Sequence, residues 1–515
     1  MTLESRTSKS LHNSIVALIF YVINFFLSFF SRKIFLDYLG TEILGLNTTA
    51  VNLLQFLNLA ELGIANAVGF SLYKPLHEKD HDTVNEIVSL QGHLYKRIAI
   101  LILIGGFILM AFFPLIFKKI HLPLWYAYAS FGVLLFSALL GYFFNYKQIV
   151  LSANQQNYKI LYSFRTIMIA KTLLQMWAVY RLNNGYVWWL IIEGIFAIIG
   201  SWSLHKATIK EFPGLTKVKS TFKSLRTKHA ILVTKIKQIF FHKIGSFALN
   251  QSSPLIIYAF TTLTTVALYG NYITIVNGVQ MLIGAVFDSM GAGVGNLVAE
   301  GDQQKIRNVF DELFSIRFLI VSTIVFCVFF LSPSFIKIWI GAEYILPTST
   351  LLIICGNMFI QLHRYTVEIF VNAYGLYSDI LAPIIEATLN IGLSIGLGFA
   401  WGLNGVLLGV MISQILVIMM WKPYYLMTRK MKGFLSHFII LSLKHFFVFA
   451  IMAFVCIFFL RNFTVYASQN YGTFLLGSIP IVATFALGSW ILLFILNPGM
   501  REVSSRLLKL IPKNK

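Results

Sequence analysis

The chain has 515 residues, 57% of them hydrophobic and only 12% charged, with a mean hydropathy of +0.75. A soluble domain carries about 25% charged residues, so a chain this long with half that fraction lacks the polar surface to cover several soluble domains, and an all-α integral membrane protein is expected. The formal charge of +21 would suggest nucleic acid in a soluble protein, but its distribution along this chain argues otherwise.

The N-terminus places Arg6 and Lys9 before an apolar run from Ile15 to Phe30, as a signal peptide does. Bulky residues follow with no small-x-small cleavage site, so a retained first helix is expected. Apolar stretches of about 20 residues then predict about fourteen spans, at about 12–31, 43–72, 94–117, 124–146, 159–181, 186–206, 238–261, 268–298, 315–336, 347–375, 379–402, 404–427, 437–460 and 474–497. Cys327, Cys355 and Cys456 all fall in apolar runs and read as membrane-core residues, with no disulfide frame or metal site.

The second span opens a distinctive stretch, Thr41 to Asp80. It is apolar enough for a bilayer, yet Asn47, Asn52, Gln55, Asn58, Glu61 and Asn66 recur at roughly helical spacing, so one face is expected to be wet. The span is expected to end at Pro75, in a charged loop.

Lys and Arg concentrate on cytoplasmic connections. With the N-terminus inside, cytoplasmic segments hold about 32 of the 41 and periplasmic ones about 7, while Arg165 and Lys171 fall within span five. Both termini are therefore expected in the cytoplasm, and the positive charge is topological and not a nucleic-acid surface. The connection from His205 to Lys243 holds ten basic residues against one acid, Glu211. It reads as a cytoplasmic linker, either with an interfacial helix around Phe222 to Ile239 on anionic headgroups or as a solvated tether.

The lobes on either side of the linker share a pattern. GLN at Gly45 to Asn47 is echoed by YGN at Tyr269 to Asn271, and each opens a span with a carboxylate, Glu61 or Asp288. Each span exits into an acidic loop, with Glu78 and Asp80 or with Glu300 and Asp302. LSANQQNYKILYSF from Leu151 is echoed by VNAYGLYSDILAPI from Val371. Offsets of about 220 to 224 in the same order predict a duplication. Six spans per lobe, an even number, imply a pseudo-two-fold axis along the membrane normal, with the substrate cleft between lobes. The expected organisation is an N-lobe at 1–206, a basic linker at 207–237, a C-lobe at 238–430, and two further helices with a basic cytoplasmic tail at 431–515.

His77, Glu78 and His81 form H-E-x-x-H, but the motif follows Pro75 in a short loop without an evident third ligand, so no zinc site is expected. Within the membrane an ionisable residue costs about 2.5 to 3.5 kcal/mol and needs a partner or a wet cavity. Lys171 is expected near mid-membrane and Arg165 nearer the cytoplasmic end. They either border a lumen or form structural salt bridges to Glu61 or Glu193. Glu61 and Asp288 read equally as coupling-ion sites or counter-charges. Arg364 and Glu368, at i and i+4, form a structural or gating pair, and Glu386 occupies nearly the repeat position of Arg165. G-x-x-x-G steps at Gly291, Gly392 and Gly405 permit close helix contact.

The stretch RKIFLDYLGTEILGLNTTAVNLLQFLNLAELGIANAVGFSLYKPLHEKD, Arg32 to Asp80, resembles the N-terminal part of Wzx-type polysaccharide-repeat flippases of the multidrug/oligosaccharidyl-lipid/polysaccharide (MOP) exporter superfamily. AELGIANA and SLYKPL are its most specific words, and the span outline, linker and repeat extend the likeness over nearly the whole chain. The resemblance implies transport of an undecaprenyl-diphosphate-linked oligosaccharide for surface polysaccharides such as O-antigen, across the bacterial inner membrane. A polysaccharide polymerase is an implied partner, and H+, Na+ or the membrane potential an implied driving force. It gives Arg165 and Lys171 the diphosphate, with Asn47, Asn52 and Gln55 offering hydrogen bonds to the headgroup. Span one has Asn24 and no carboxylate, so the ion coupling of multidrug exporters does not carry over. A cation-coupled multidrug exporter of the same superfamily is the second reading. An enzyme, such as a membrane polymerase or glycosyltransferase, is the third, and it would need a large periplasmic loop that the spans leave no room for.

Overall fold

Backbone N–H and C=O groups within a bilayer have no water to pair with, and helices satisfy them within each segment. The computed structural model describes residues 6–510 except 62, 288–289, 377–378 and 380. It is 88% helix, and no strand occurs among the described residues. The chain is an all-α integral membrane protein, in which nine helical runs among the described residues are long and apolar enough to cross a membrane. Two of these runs, Ile15–Leu57 and Leu381–Arg429, have 43 and 49 residues, about twice what one crossing needs. Each is interrupted by non-helical backbone, at Gly40 in the first and at Trp401 and Gly402 in the second. The first interruption lies between the first and second expected spans, and the second at the end of the expected span 379–402.

The principal helices are α1 (Arg6–Leu57), α2 (Ile64–Glu78), α3 (His81–Ala111), α4 (Trp125–Phe143), α5 (Thr166–Arg181), α6 (Gly185–Glu211), α7 (Ala230–Phe260), α8 (Leu263–Phe287), α9 (Gln303–Trp339), α10 (Thr348–His363), α11 (Leu381–Gln414), α12 (Leu435–Phe459), α13 (Tyr471–Leu496) and α14 (Pro498–Leu510). Their contacts divide the chain into two compact units, Met1–Ala267 and Leu268–Lys515. Helix α7, which the sequence assigns to the second lobe, packs on α1 and α2 within the first unit.

The first unit is centred on Leu46, Ala67, Val68, Leu72, Leu90, Ile102, Phe131 and Val150, all fully buried. Lipid tails are as apolar as these side chains, so interdigitation, not escape from water, holds them together. Its basic linker is docked. Asn85 donates to the Gly214 carbonyl at 3.1 Å and accepts from the Thr216 N–H at 3.1 Å, and Ser89 accepts from the Val218 N–H at 3.0 Å. Glu86 binds Lys228 at 2.6 Å and His229 at 3.0 Å. The helix expected over Phe222 to Ile239 is broken at His229, between a short helix Phe222–Lys228 and α7.

The second unit is organised on α9, which buries Phe310, Phe318, Val321 and Phe326. Helices α12 and α13 close over it through Val448, Met452, Ile481 and Phe485. The tail helix α14 is fastened to α9 by Arg506 and Glu312 at 2.9 Å.

Backbone conformation supports the duplication. Lys79 (φ 57°) and Gly301 (φ 79°) are left-handed C-caps 222 residues apart. Each is followed by an aspartate that caps the next helix, Asp80 accepting from the Thr83 N–H and Asp302 from the Gln304 and Lys305 N–H groups. Left-handed residues recur at Gln155 and Gly375, 220 apart, and at Asn184 and Gly402, 218 apart. Hydrogen bonds from Thr83 hold the Asp80 carboxyl below its usual range. Its cap is complete at neutral pH and fades only as pH falls through that lowered value. Helix α2 runs one turn past Pro75, to Glu78, beyond the end expected from the sequence.

Of the small-residue steps, Gly405 and Gly409 lie at a close helix contact. A Cβ on Gly409 would stand 2.3 Å from the Ser394 backbone nitrogen, and one on Gly405 would stand in the Leu397 carbonyl, whereas Gly392 and Gly396 face open space. Gly409→Leu is therefore expected to force the two halves of α11 apart, at a cost of about 1–3 kcal/mol. Thermal unfolding in detergent should show it, with Gly392→Leu as an unaffected control.

Candidate functional site

The segment that carries both candidate cations is not a regular helix. A helical turn at Asn157–Ile160 leads into a π turn at Leu161–Arg165 and then into α5. Such widened turns are frequent at functional positions, and this one places Arg165 on an exposed face. Lys159, below it, pairs with Glu211, which also accepts from Gln156. Above it, the Lys171 ammonium donates to both Glu193 oxygens at 2.8 Å, and Gln175, one turn on, donates to Glu193 Oε2 and to the Trp189 carbonyl at 3.0 Å each. The Lys171 and Glu193 side chains are 15% and 17% exposed. Lys159 and Lys171 are thus each paired with an acid on α6. Arg165 has no ion pair among the described residues.

The polar stripe of the second span is only partly engaged. Asn47 accepts from Ser130 at 3.4 Å. Asn52 is half-buried and Gln55 exposed, and neither has a hydrogen bond among the described residues. Glu61 meets neither Arg165 nor Lys171. Its oxygens accept from the hydroxyls of Tyr95 on α3, at 2.7 Å, and Tyr142 on α4, at 3.0 Å.

In the second unit Glu368 lies 3.5 Å from Arg364, as the i and i+4 spacing implies, but its shorter contact is Lys422 at 2.9 Å. Lys422 follows a second π turn, Ile415–Trp421. Glu386 is 3% exposed and Asn390, one turn on, is fully buried. Glu386 Oε1 and both polar atoms of the Asn390 amide have no hydrogen-bond partner among the described residues. Asp288 lies outside the described residues. Arg317 on α9 is buried with its guanidinium 4.1 Å from the Phe287 ring centroid and 5.1 Å from that of Tyr365. His77 lies in the last turn of α2 and His81 opens α3 across the left-handed Lys79, so the two imidazoles do not share the helical turn that a zincin site needs.

Sequence reading missed Tyr95, Tyr142, Gln175, Lys422 and Arg317. The tyrosines and Gln175 stand in apolar runs as ordinary amphipathic residues. Lys422 and Arg317 lie near span ends, where hydropathy alone counts them with the cytoplasmic connections.

Together these features define a two-unit helical membrane protein with the fold of MOP-superfamily transporters. Lipid II flippase MurJ, in its inward closed conformation, superposes with a TM-score of 0.65 at 15% identity, covering 94% of this chain and 99% of that one. A multidrug resistance MATE family transporter of the MOP superfamily matches at 0.54 in its inward-facing conformation, with 15% identity over 81% of this chain and 99% of that one. An outward-facing MATE family transporter matches at 0.51, with 14% identity over 84% and 98%. Neither a protein-family model nor a curated protein matches the sequence.

Proposed function

We propose that this chain is a flippase that carries undecaprenyl-diphosphate-linked oligosaccharide repeat units from the cytoplasmic to the periplasmic leaflet of the bacterial inner membrane, for assembly of a surface polysaccharide. The observation that carries this reading is the likeness of nearly the whole chain to a lipid II flippase, which covers 94% of it. The exporters match 81% and 84% of the chain, with lower TM-scores. The unneutralised Arg165 supports it, since a guanidinium binds phosphate oxygens in pairs. Asn52 and Gln55, with no hydrogen bond among the described residues, offer their amides to sugar hydroxyls. Asn47, weakly held by Ser130, joins them. Lys171, engaged by Glu193, fixes the helix on which Arg165 stands.

In this reading the chain crosses the bilayer fourteen times with both termini in the cytoplasm and works by alternating access of its two lobes. The diphosphate travels on Arg165 while the polyprenyl tail stays in the lipid. Arg364, Glu368 and Lys422 form an ion-pair network that loosens or closes with the cycle. The chain performs no covalent chemistry, and a polysaccharide polymerase receives its cargo.

Drug export is the competing reading, favoured by the likeness to MATE transporters. Deleting the gene separates the two. The flippase reading expects loss of surface polysaccharide and accumulation of the lipid-linked precursor, with unchanged sensitivity to cationic drugs. Intact polysaccharide with increased drug sensitivity would favour the exporter.

A further inference from the structure

Two bends of the first unit meet at the end opposite its docked linker. Helix α6 has 27 residues, about 40 Å of rise, with Glu211 at the linker end and Gly185 at the other. Residues 182–184 join it to α5. The turn is tight, since Asn184 is left-handed (φ 56°) and a Cβ on Gly185 would stand 3.0 Å from the Val179 Cα. Beside it lie Tyr38, just before the break in α1 at Gly40, and Tyr126, in the first turn of α4.

These segments border a cavity of about 410 Å³, whose wall carries Tyr38, Tyr126, Tyr180, Arg181, Asn183 and Asn184. Small-ligand sites span about 300–1,000 Å³. Tyr38 and Tyr180 are both exposed, and their rings meet nearly at right angles, with centroids 5.4 Å apart at 81°. Tyr126 is backed by the buried Tyr186, the two rings stacked at 5.5 Å and 11°. The Arg181 guanidinium lies 5.0 Å from the Tyr180 ring centroid and has no ion pair among the described residues. Among the described residues no acid lines the cavity. Asparagine in a turn ordinarily bonds the backbone nearby, but the exposed side chains of Asn183 and Asn184 make no hydrogen bond among the described residues. Tyrosines also gather at membrane interfaces as anchors. An anchoring belt spreads around a bundle, whereas these rings converge on one cavity with a guanidinium and two amides.

We propose that this cavity binds a sugar ring that bears a carboxylate. A pyranose presents C–H faces edged with hydroxyls. The electron-rich face of a tyrosine takes the C–H face, and the amides and phenol hydroxyls both donate to and accept from the sugar hydroxyls. Arg181 takes the carboxylate with paired N–H donors. A free phosphate would use Arg181 and leave the rings idle. Binding at the site does not depend on the transport reading. Its role does: in that reading this end faces the periplasm and meets an acidic sugar of the cargo as it leaves.

The test uses the full-length protein in detergent and ligand-observed saturation-transfer NMR, with methyl glucuronoside as the probe and methyl glucoside as the neutral control. Wild-type protein should bind the glucuronoside saturably and about tenfold more tightly than the glucoside, a difference of roughly 1.4 kcal/mol. Arg181→Gln should remove that preference. Tyr38→Leu and Asn183→Ala should each weaken binding of the glucuronoside by about threefold or more. All three positions are exposed, so the variants should fold. Equal binding of the two sugars by wild-type protein, no saturable binding by folded protein, or displacement of the glucuronoside by an equal concentration of inorganic phosphate overturns the site, as does binding that no variant changes. Glucuronoside binding that depends on Arg181, in a protein that moves no lipid-linked oligosaccharide, would uphold the site and remove the flippase reading. Transport without glucuronoside binding would do the reverse.

Discussion

Lys171→Met is expected to destabilise the first unit by about 3–5 kcal/mol, because it leaves Glu193 as an uncompensated charge in a nearly closed helix interface. The pair is bidentate at 2.8 Å and both side chains are mostly buried. Gln175 still donates one hydrogen bond to Glu193, but an amide does not cancel the charge. Adding Glu193→Leu should recover most of the loss, since replacing a whole buried pair by apolar side chains is often neutral or stabilising. Thermal unfolding of the two single variants and the double variant in detergent measures the coupling directly. The double variant also separates two roles for Lys171. If Lys171 holds α5 against α6, the refolded double variant keeps most of its transport. A stable double variant that transports nothing would return Lys171 to the diphosphate.

Arg165→Gln should do the opposite, leaving stability nearly unchanged and removing transport. Arg165 is exposed with no ion pair among the described residues, and a substitution at such a position usually moves stability by no more than about 0.5 kcal/mol. Truncating one partner of a desolvated charge pair costs about 2–5 kcal/mol, so transport of a diphosphate-bearing lipid should fall by about 30-fold or more. Arg165→Lys should fall between, because an ammonium keeps the charge and loses the paired donors. The readout is the initial rate of precursor appearance in the outer leaflet, at matched expression. Equal rates for wild type and Arg165→Gln would remove Arg165 from the substrate path.

The comparison of these two cations shows what a single sequence can carry. That both lie inside a span, and that Glu193 could pair one of them, follows from hydropathy and spacing. Which one it pairs depends on the π turn at Leu161–Arg165, and no residue pattern announces such a turn. The repeat pattern was read from short polar words and acidic exits at matching offsets, and the aspartate caps at Asp80 and Asp302 are local features of that pattern. Glu61 was legible as an intramembrane carboxylate and not as a tyrosine-bound one, since Tyr95 and Tyr142 come from helices 34 and 81 residues away. The attachment of the tail to α9, through Arg506 and Glu312, is likewise a contact between distant segments, as is the packing of α7 on the first unit. Long-range pairing of this kind is set by packing geometry, which hydropathy does not encode.

The central claim is transfer of a lipid-linked oligosaccharide between leaflets. Its most direct test is purified protein in liposomes that carry a labelled undecaprenyl-diphosphate oligosaccharide in both leaflets, with outer-leaflet sugar destroyed by a membrane-impermeant oxidant. The account predicts that wild-type protein exposes the inner-leaflet pool to the oxidant, that Arg165→Gln protein does so at least about 30-fold more slowly, and that empty liposomes protect it. An inner pool that stays protected with folded wild-type protein, under an inward or outward Na+ gradient and with a membrane potential of either sign, would contradict it.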